Sequence, residues 1–133
     1  MPREESRRAG DWFAKARRDL KRVEAMLGIE DLEGAGLHLQ QAAEKYLKGY
    51  LLAHGWRLRR THDLEVLLNE AVRLNPQLEE FRGACQVATE FYVEDRYPFI
   101  SSPSIAESEF SRVRTNILRL IETIEEITPP TSR

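Results

Sequence analysis

Leu37-His38-Leu39-Gln40-Gln41-Ala42-Ala43-Glu44-Lys45-Tyr46-Leu47-Lys48 is the stretch on which the fold turns. Ala35, Leu39, Ala42, Tyr46 and Tyr50 follow an i, i+4, i+7, i+11, i+15 spacing, which lays an apolar stripe along one side of an α-helix. Ala43, Leu47 and Leu51 widen the stripe. His38, Gln41, Lys45 and Lys48 share a third face at i, i+3, i+7, i+10. The spacing predicts a helix that is mostly buried yet carries one ordered line of donors and cations.

Working outward, five helices account for the chain. The first runs from about Ser6 to Leu27, with Trp12, Ala16, Leu20, Val23 and Leu27 toward the core, and Gly28 ends it. Asp31 is the expected N-cap of the second, which continues to His54 and stops at Gly55. Gly34 and Gly36 weaken its first turn by about 1 kcal/mol each relative to Ala, unless they serve close helix packing. Thr61 is expected to cap the third helix, with Asp63 in its first turn and Leu64, Leu67, Leu68, Ala71 and Leu74 following. Asn75-Pro76 reads as N-cap and first position of a fourth helix reaching about Glu94. Ser104 and Glu107 make a capping box for the fifth, whose apolar face is Phe110, Val113, Ile117, Leu120, Ile121 and Ile124, and Pro129-Pro130 closes it. No segment alternates with period two for a strand's length. The class is all-α, and short connections favour an up-and-down helical bundle.

At 133 residues the chain is expected to form a single domain, with its core over about residues 10–127. There is no run of eighteen apolar residues, and the charged opening Met1 to Arg8 is not followed by an apolar segment, so a cytoplasmic protein without membrane contact is expected. The single cysteine, Cys85, excludes an internal disulfide and keeps step with Leu78, Phe81, Ala88 and Tyr92, a seam suited to a core or to a dimer interface. The net charge of −2 hides an asymmetry. Residues 1–62 hold 13 Lys/Arg against 9 Asp/Glu, a net +4; residues 63–133 hold 7 against 13, a net −6. The basic half, with Arg17, Arg18, Lys21 and Arg22 on one helix and Arg57, Arg59 and Arg60 on one loop, could attract phosphate, or could be a solvated helical face.

Three groups carry what chemistry the sequence offers. The line His38, Gln41, Lys45 and Lys48, beside Tyr46 and Tyr50, could hold a nucleotide phosphate and base, or could be lysine stems covering apolar surface. His62 and Asp63 open the third helix, where exposed N–H groups and the dipole attract anions, although Asp63 itself opposes an anion there. Arg96-Tyr97-Pro98 follows the fourth helix, and Pro98 holds Tyr97 extended. The fixed Arg96 guanidinium then suits a phosphate, or a structural pair with Glu90, Glu94 or Glu44. No Glu-x-x-His repeat, zinc spacing or phosphate-binding glycine loop is present, so no metal and no cofactor is expected.

The run Gln40-Gln41-Ala42-Ala43-Glu44-Lys45-x-Leu47-Lys48, then Thr61-His62-Asp63-Leu64, then Arg96-Tyr97-Pro98, in this order, resembles the HEPN family of small all-helical prokaryotic domains. The resemblance covers roughly residues 10–127 and implies a five-helix bundle, a homodimer, and a role beside a small nucleotidyltransferase in a toxin–antitoxin-type pair. Ribonuclease members of that family carry Arg-x(4–6)-His on a late helix. Here no histidine lies beyond His62, so that motif is absent, and only Arg57 and His62 fit the spacing, across a loop. What the resemblance implies is therefore a non-catalytic protein binding an ATP-like nucleotide or a nucleotidyltransferase, with His38, Gln41, Lys45, Lys48, His62, Asp63, Arg96 and Tyr97 as binding residues. The alternatives are an RNA-cleaving toxin using Arg57 and His62, and a dimerisation module without ligand.

Overall fold

The computed structural model describes residues 8–96 and 106–129, and of Val93 to Arg96 it describes the backbone. Those residues form five α-helices and no strand: α1 Ala9–Gly28, α2 Leu32–Ala53, α3 Leu64–Leu74, α4 Arg82–Arg96 and α5 Glu107–Ile127. They make an up-and-down bundle in which α2 packs against each of the other four helices. The stripe read from the sequence is the reason. Ala35, Leu39, Ala42, Ala43, Tyr46, Leu47, Tyr50 and Leu51 are all buried, so α2 has apolar surface on more than one side and the remaining helices cover it.

The other apolar faces fall largely where their periodicity puts them. Phe110, Val113, Ile117, Leu120, Ile121 and Ile124 of α5 are buried, and so are Leu64, Leu67, Leu68 and Ala71 of α3. Leu78, Phe81, Cys85 and Ala88 face the core of the chain itself, which assigns that seam to internal packing. On α1 the buried set is Trp12, Phe13, Ala16, Asp19 and Val23; Phe13 joins it, and Leu20 and Leu27 pack at its margin.

The helix ends hold several differences from expectation. Asp31 caps α2 as its sequence suggests, its Oδ1 accepting from the Gly34 N–H at 2.9 Å. Gly55 follows α2 with φ 83. Gly28, expected to end α1, is instead its last helical residue, and the left-handed step falls on Glu30 at φ 58. There Asp31 N donates to Met26 O at 2.8 Å and completes the reversal. Thr61 does not cap α3. Asp63 does, accepting from Glu65 N at 2.9 Å, while Thr61 Oγ1 accepts from Asp63 N one step earlier. The carboxylate both accepts and complements the helix dipole, and Thr89 Oγ1 of α4 takes the Leu64 N–H at 3.2 Å, which fits a helix that starts there. Asn75 caps at Pro76, but the first stretch, Pro76–Phe81, is a 3-10 helix whose three-residue turn aligns Leu78 with Phe81 before α4 begins. Ala106, without a side-chain cap, precedes α5, so Glu107 is its first residue and not the third position of a box; Ser104 lies outside the described residues.

Two buried protons follow from this packing. Burial pushes the Cys85 thiol up from 9.0 to about 12. Burial, then the hydrogen bond from the Tyr46 hydroxyl to Glu125 Oε1 at 2.8 Å, raises the Tyr46 phenol. Both acids hold their protons more tightly folded than unfolded. Their stabilisation is therefore complete below the unfolded values and lost as pH rises from about 9 upward. Cys85 is expected to react with a thiol-specific disulfide reagent at pH 8 only as fast as the chain unfolds. The denaturation midpoint is expected to fall between about pH 9 and 11, less steeply in Cys85→Ala and Tyr46→Phe; rapid labelling in buffer alone contradicts this.

Candidate functional site: a polar seam between α1, α2 and the start of α3

The polar residues of α2 are organised by two buried carboxylates. Asp19 on α1 is 1% exposed. Its Oδ1 accepts from Arg22 Nη1 at 3.0 Å and lies 3.2 Å from His38 Nδ1, while Oδ2 accepts from Lys45 Nζ. Glu44 on α2 is 3% exposed. Its Oε1 lies 2.8 Å from His62 Nδ1 and 3.3 Å from Gln40 Nε2, and its Oε2 accepts from Lys48 Nζ at 3.0 Å. A carboxylate only accepts, so both imidazoles donate from Nδ1 and leave Nε2 as the free nitrogen.

The remaining donors close the network. Gln40, fully buried, also donates from Nε2 to the His62 carbonyl at 2.8 Å, and its own Oε1 accepts from Gln41 Nε2 at 2.7 Å. Lys48 Nζ sits 5.2 Å from the centre of the Trp12 ring, and Lys15 Nζ lies 5.8 Å from the same ring. The His62 ring stacks on Tyr92 of α4, with centroids 4.6 Å apart and planes at 24°. Among the described residues no buried side-chain nitrogen or oxygen lacks a partner. Such complete pairing is what makes ions tolerable at this depth.

The line His38, Gln41, Lys45 and Lys48 is thus real as a face and divided as chemistry. His38 and Lys45 belong to the Asp19 group; Gln41 and Lys48 belong to the Glu44 group, which also draws in His62. Around Asp19 the balance is positive, because Lys45 and Arg22 both gather on one negative charge, and the Arg22 side chain is half exposed. Asp63 stands apart as the exposed cap of α3. Two of the N–H groups at that helix start are taken: Glu65 N by Asp63 and Leu64 N by Thr89 Oγ1 at 3.2 Å. Arg57 is exposed, and none of the polar or ring contacts of His62 is to it. Arg96 ends α4; its side chain, with Tyr97 and Pro98, lies outside the described residues. A cleft of about 420 Å³ between the 3-10 segment, α4 and α5, lined by Phe81, Arg112 and Arg119 among others, shares no residue with the seam.

Sequence reasoning passed over Asp19, Gln40 and Trp12 as site residues, and met Glu44 only within the run that carries the resemblance and as a partner for Arg96. A signal for two of them was present. Asp19 stands in the stripe Trp12, Ala16, Asp19, Val23, and Glu44 in Gln40, Glu44, Leu47, Leu51, each a charge where the helical period calls for an apolar residue.

The model of the HEPN domain matches residues 9–128. Among solved structures, TT1696 from Thermus thermophilus is similar at 27% identity and a TM-score of 0.74, over 91% of this chain and 98% of that one. ST0689, described as an archaeal HEPN homologue, shares the fold at 24% identity and the same TM-score of 0.74, over 92% of this chain and 98% of that one. No curated protein matches the chain. Among the described residues no helix is long and apolar enough to cross a membrane, and no group of three or more His, Cys, Asp or Glu is arranged to hold a metal ion.

Proposed function

The chain belongs to the HEPN domain family, and from that premise we propose that it binds the phosphates of a nucleotide at the α1–α2 seam, as the binding half of a pair with a small nucleotidyltransferase. The observation that carries this reading is the Asp19 group. One buried carboxylate positions Lys45, Arg22 and His38, so the cluster keeps a positive surplus in a partly exposed, pre-ordered arrangement. Charge-assisted hydrogen bonds from fixed cations are the strong ones, and phosphate oxygens are their natural acceptors. Exposed Lys15, Arg18 and Lys21 on α1 extend the same field toward an incoming anion.

A nucleotide that binds only the folded chain stabilises it by about 2.7 kcal/mol at a hundred times its Kd. For a domain of this size that raises Tm by roughly 10 °C. Millimolar ATP is expected to produce a shift of this order, and Arg22→Ala to remove most of it while costing the free protein under about 1 kcal/mol, the usual worth of a half-exposed pair. Unchanged melting across a panel of nucleotides refutes nucleotide binding. For the partner, affinity purification from the native host is expected to recover a small nucleotidyltransferase in near-equal amount, and recovery of the chain alone counts against the pair.

A further inference from the structure

We propose that His62 is a phosphoryl-acceptor residue, its Nε2 held as a nucleophile toward small anionic phosphoryl donors and Glu44 acting as the positioning residue. The proposal does not depend on nucleotide binding. It rests on how many constraints converge on a side chain that is 54% exposed. Gln40 grips the His62 carbonyl at 2.8 Å, Glu44 takes Nδ1 at 2.8 Å, and Tyr92 stacks against the ring. The carbonyl bond ties the loop to α2. The two ring contacts do something further: they fix the tautomer and the direction of the opposite nitrogen, which makes no hydrogen bond among the described residues.

The chemistry follows from that fixed tautomer. With the proton on Nδ1, the Nε2 lone pair is free to attack phosphorus, and the positive charge that spreads over the ring lies against the Glu44 carboxylate. With phosphoramidate as donor, the N–P bond to the ring forms, the P–NH3 bond breaks, and ammonia leaves with its electron pair. The Nδ1 proton stays in place. Arg57 and Arg60, exposed on the loop that leads into His62, favour an anionic phosphoryl donor over a neutral acyl one.

The chain supplies its own control. His54 is also exposed and also has Nδ1 occupied, but by the Tyr50 carbonyl at 2.9 Å, with its ring against Tyr50. The two histidines therefore differ in whether the partner is a buried carboxylate or a neutral carbonyl. The experiment is a time course of the full chain with phosphoramidate at neutral pH, reading the acid-labile phosphate on each histidine by mass spectrometry. His62 is expected to react about tenfold faster than His54, because the Glu44 carboxylate stabilises the charge that develops on the ring and the neutral Tyr50 carbonyl does so only weakly. In Glu44→Gln the amide can donate to Nδ1 and shift the proton to Nε2, so the ratio is expected to fall close to one while His54 keeps its rate. Equal rates in the unaltered chain, no modification of His62, or an undiminished ratio in Glu44→Gln each overturn the proposal. The comparison within the unaltered chain stands even if the variant does not fold.

Discussion

Replacing Glu44 with alanine is expected to destabilise the domain by roughly 3–5 kcal/mol, the cost of leaving a buried ion without its partner. That is a large part of the roughly 5–15 kcal/mol that a domain of this kind has in total. The Lys48 side chain is 3% exposed, so its ammonium cannot turn to water when the carboxylate is removed. Gln40 and His62 lose an acceptor at the same time. Lys48→Met is expected to do comparable damage by stranding the charge on Glu44. The pair Glu44→Leu with Lys48→Met removes both charges and is expected to recover at least half of either single loss. Urea midpoints for the unaltered chain, Glu44→Leu, Lys48→Met and the double variant measure the coupling, and additive losses would show that the two groups are not acting as a pair.

The second large effect is steric. A Cβ at Gly49 would lie 2.7 Å from Phe13 Cε1 and 3.0 Å from Cδ1 and Cζ. Phe13 is itself 1% exposed, and its ring sits 5.6 Å from that of Tyr46, so it has little room to withdraw. Helix propensity favours Gly49→Ala by about 1 kcal/mol, while overpacking costs about 1–3 kcal/mol. The net is expected to be a loss. Gly49→Val, with two further carbons, is expected to cost about 3 kcal/mol or more. Phe13→Leu in the same chain vacates part of the contested space, so the double variant is expected to melt above Gly49→Val. A double variant that melts lower still would place the strain elsewhere.

These positions show what the sequence could and could not reveal. The α2 stripe was legible because eight buried residues repeat one period, and the Asp31 and Asn75 caps because capping is decided within three residues. The start of α3 was not. Thr61 and Asp63 are both good caps two residues apart, and the choice goes with Thr89 on α4, which meets Leu64 N. The buried carboxylates were read past for the same reason on a larger scale. Asp19 belongs to the core only because His38 and Lys45 reach it from a second helix, and Glu44 because His62 reaches it from a third segment. Gly49 carries no local sign at all; its reason is a ring on another helix. The HEPN resemblance was carried by residues that do converge, since Gln40, Glu44, Lys48 and His62 form one network. Arg96-Tyr97-Pro98, the third part of that resemblance, lies beyond what the side chains describe.

The bond from Tyr46 to Glu125 joins residues 79 positions apart. A ribosome delivers α1 and α2 together, and they pair as a hairpin through neighbours close in sequence, the kind of contact that forms fastest. The flank of α2 that α5 will cover must then wait while the intervening chain is synthesised. Throughout that interval a nascent chain offers an unfinished greasy surface to chaperones and to other nascent chains. Lesions in α5 therefore threaten yield in the cell more than their equilibrium cost suggests, because a helix made after the other four closes the oldest wound in the fold.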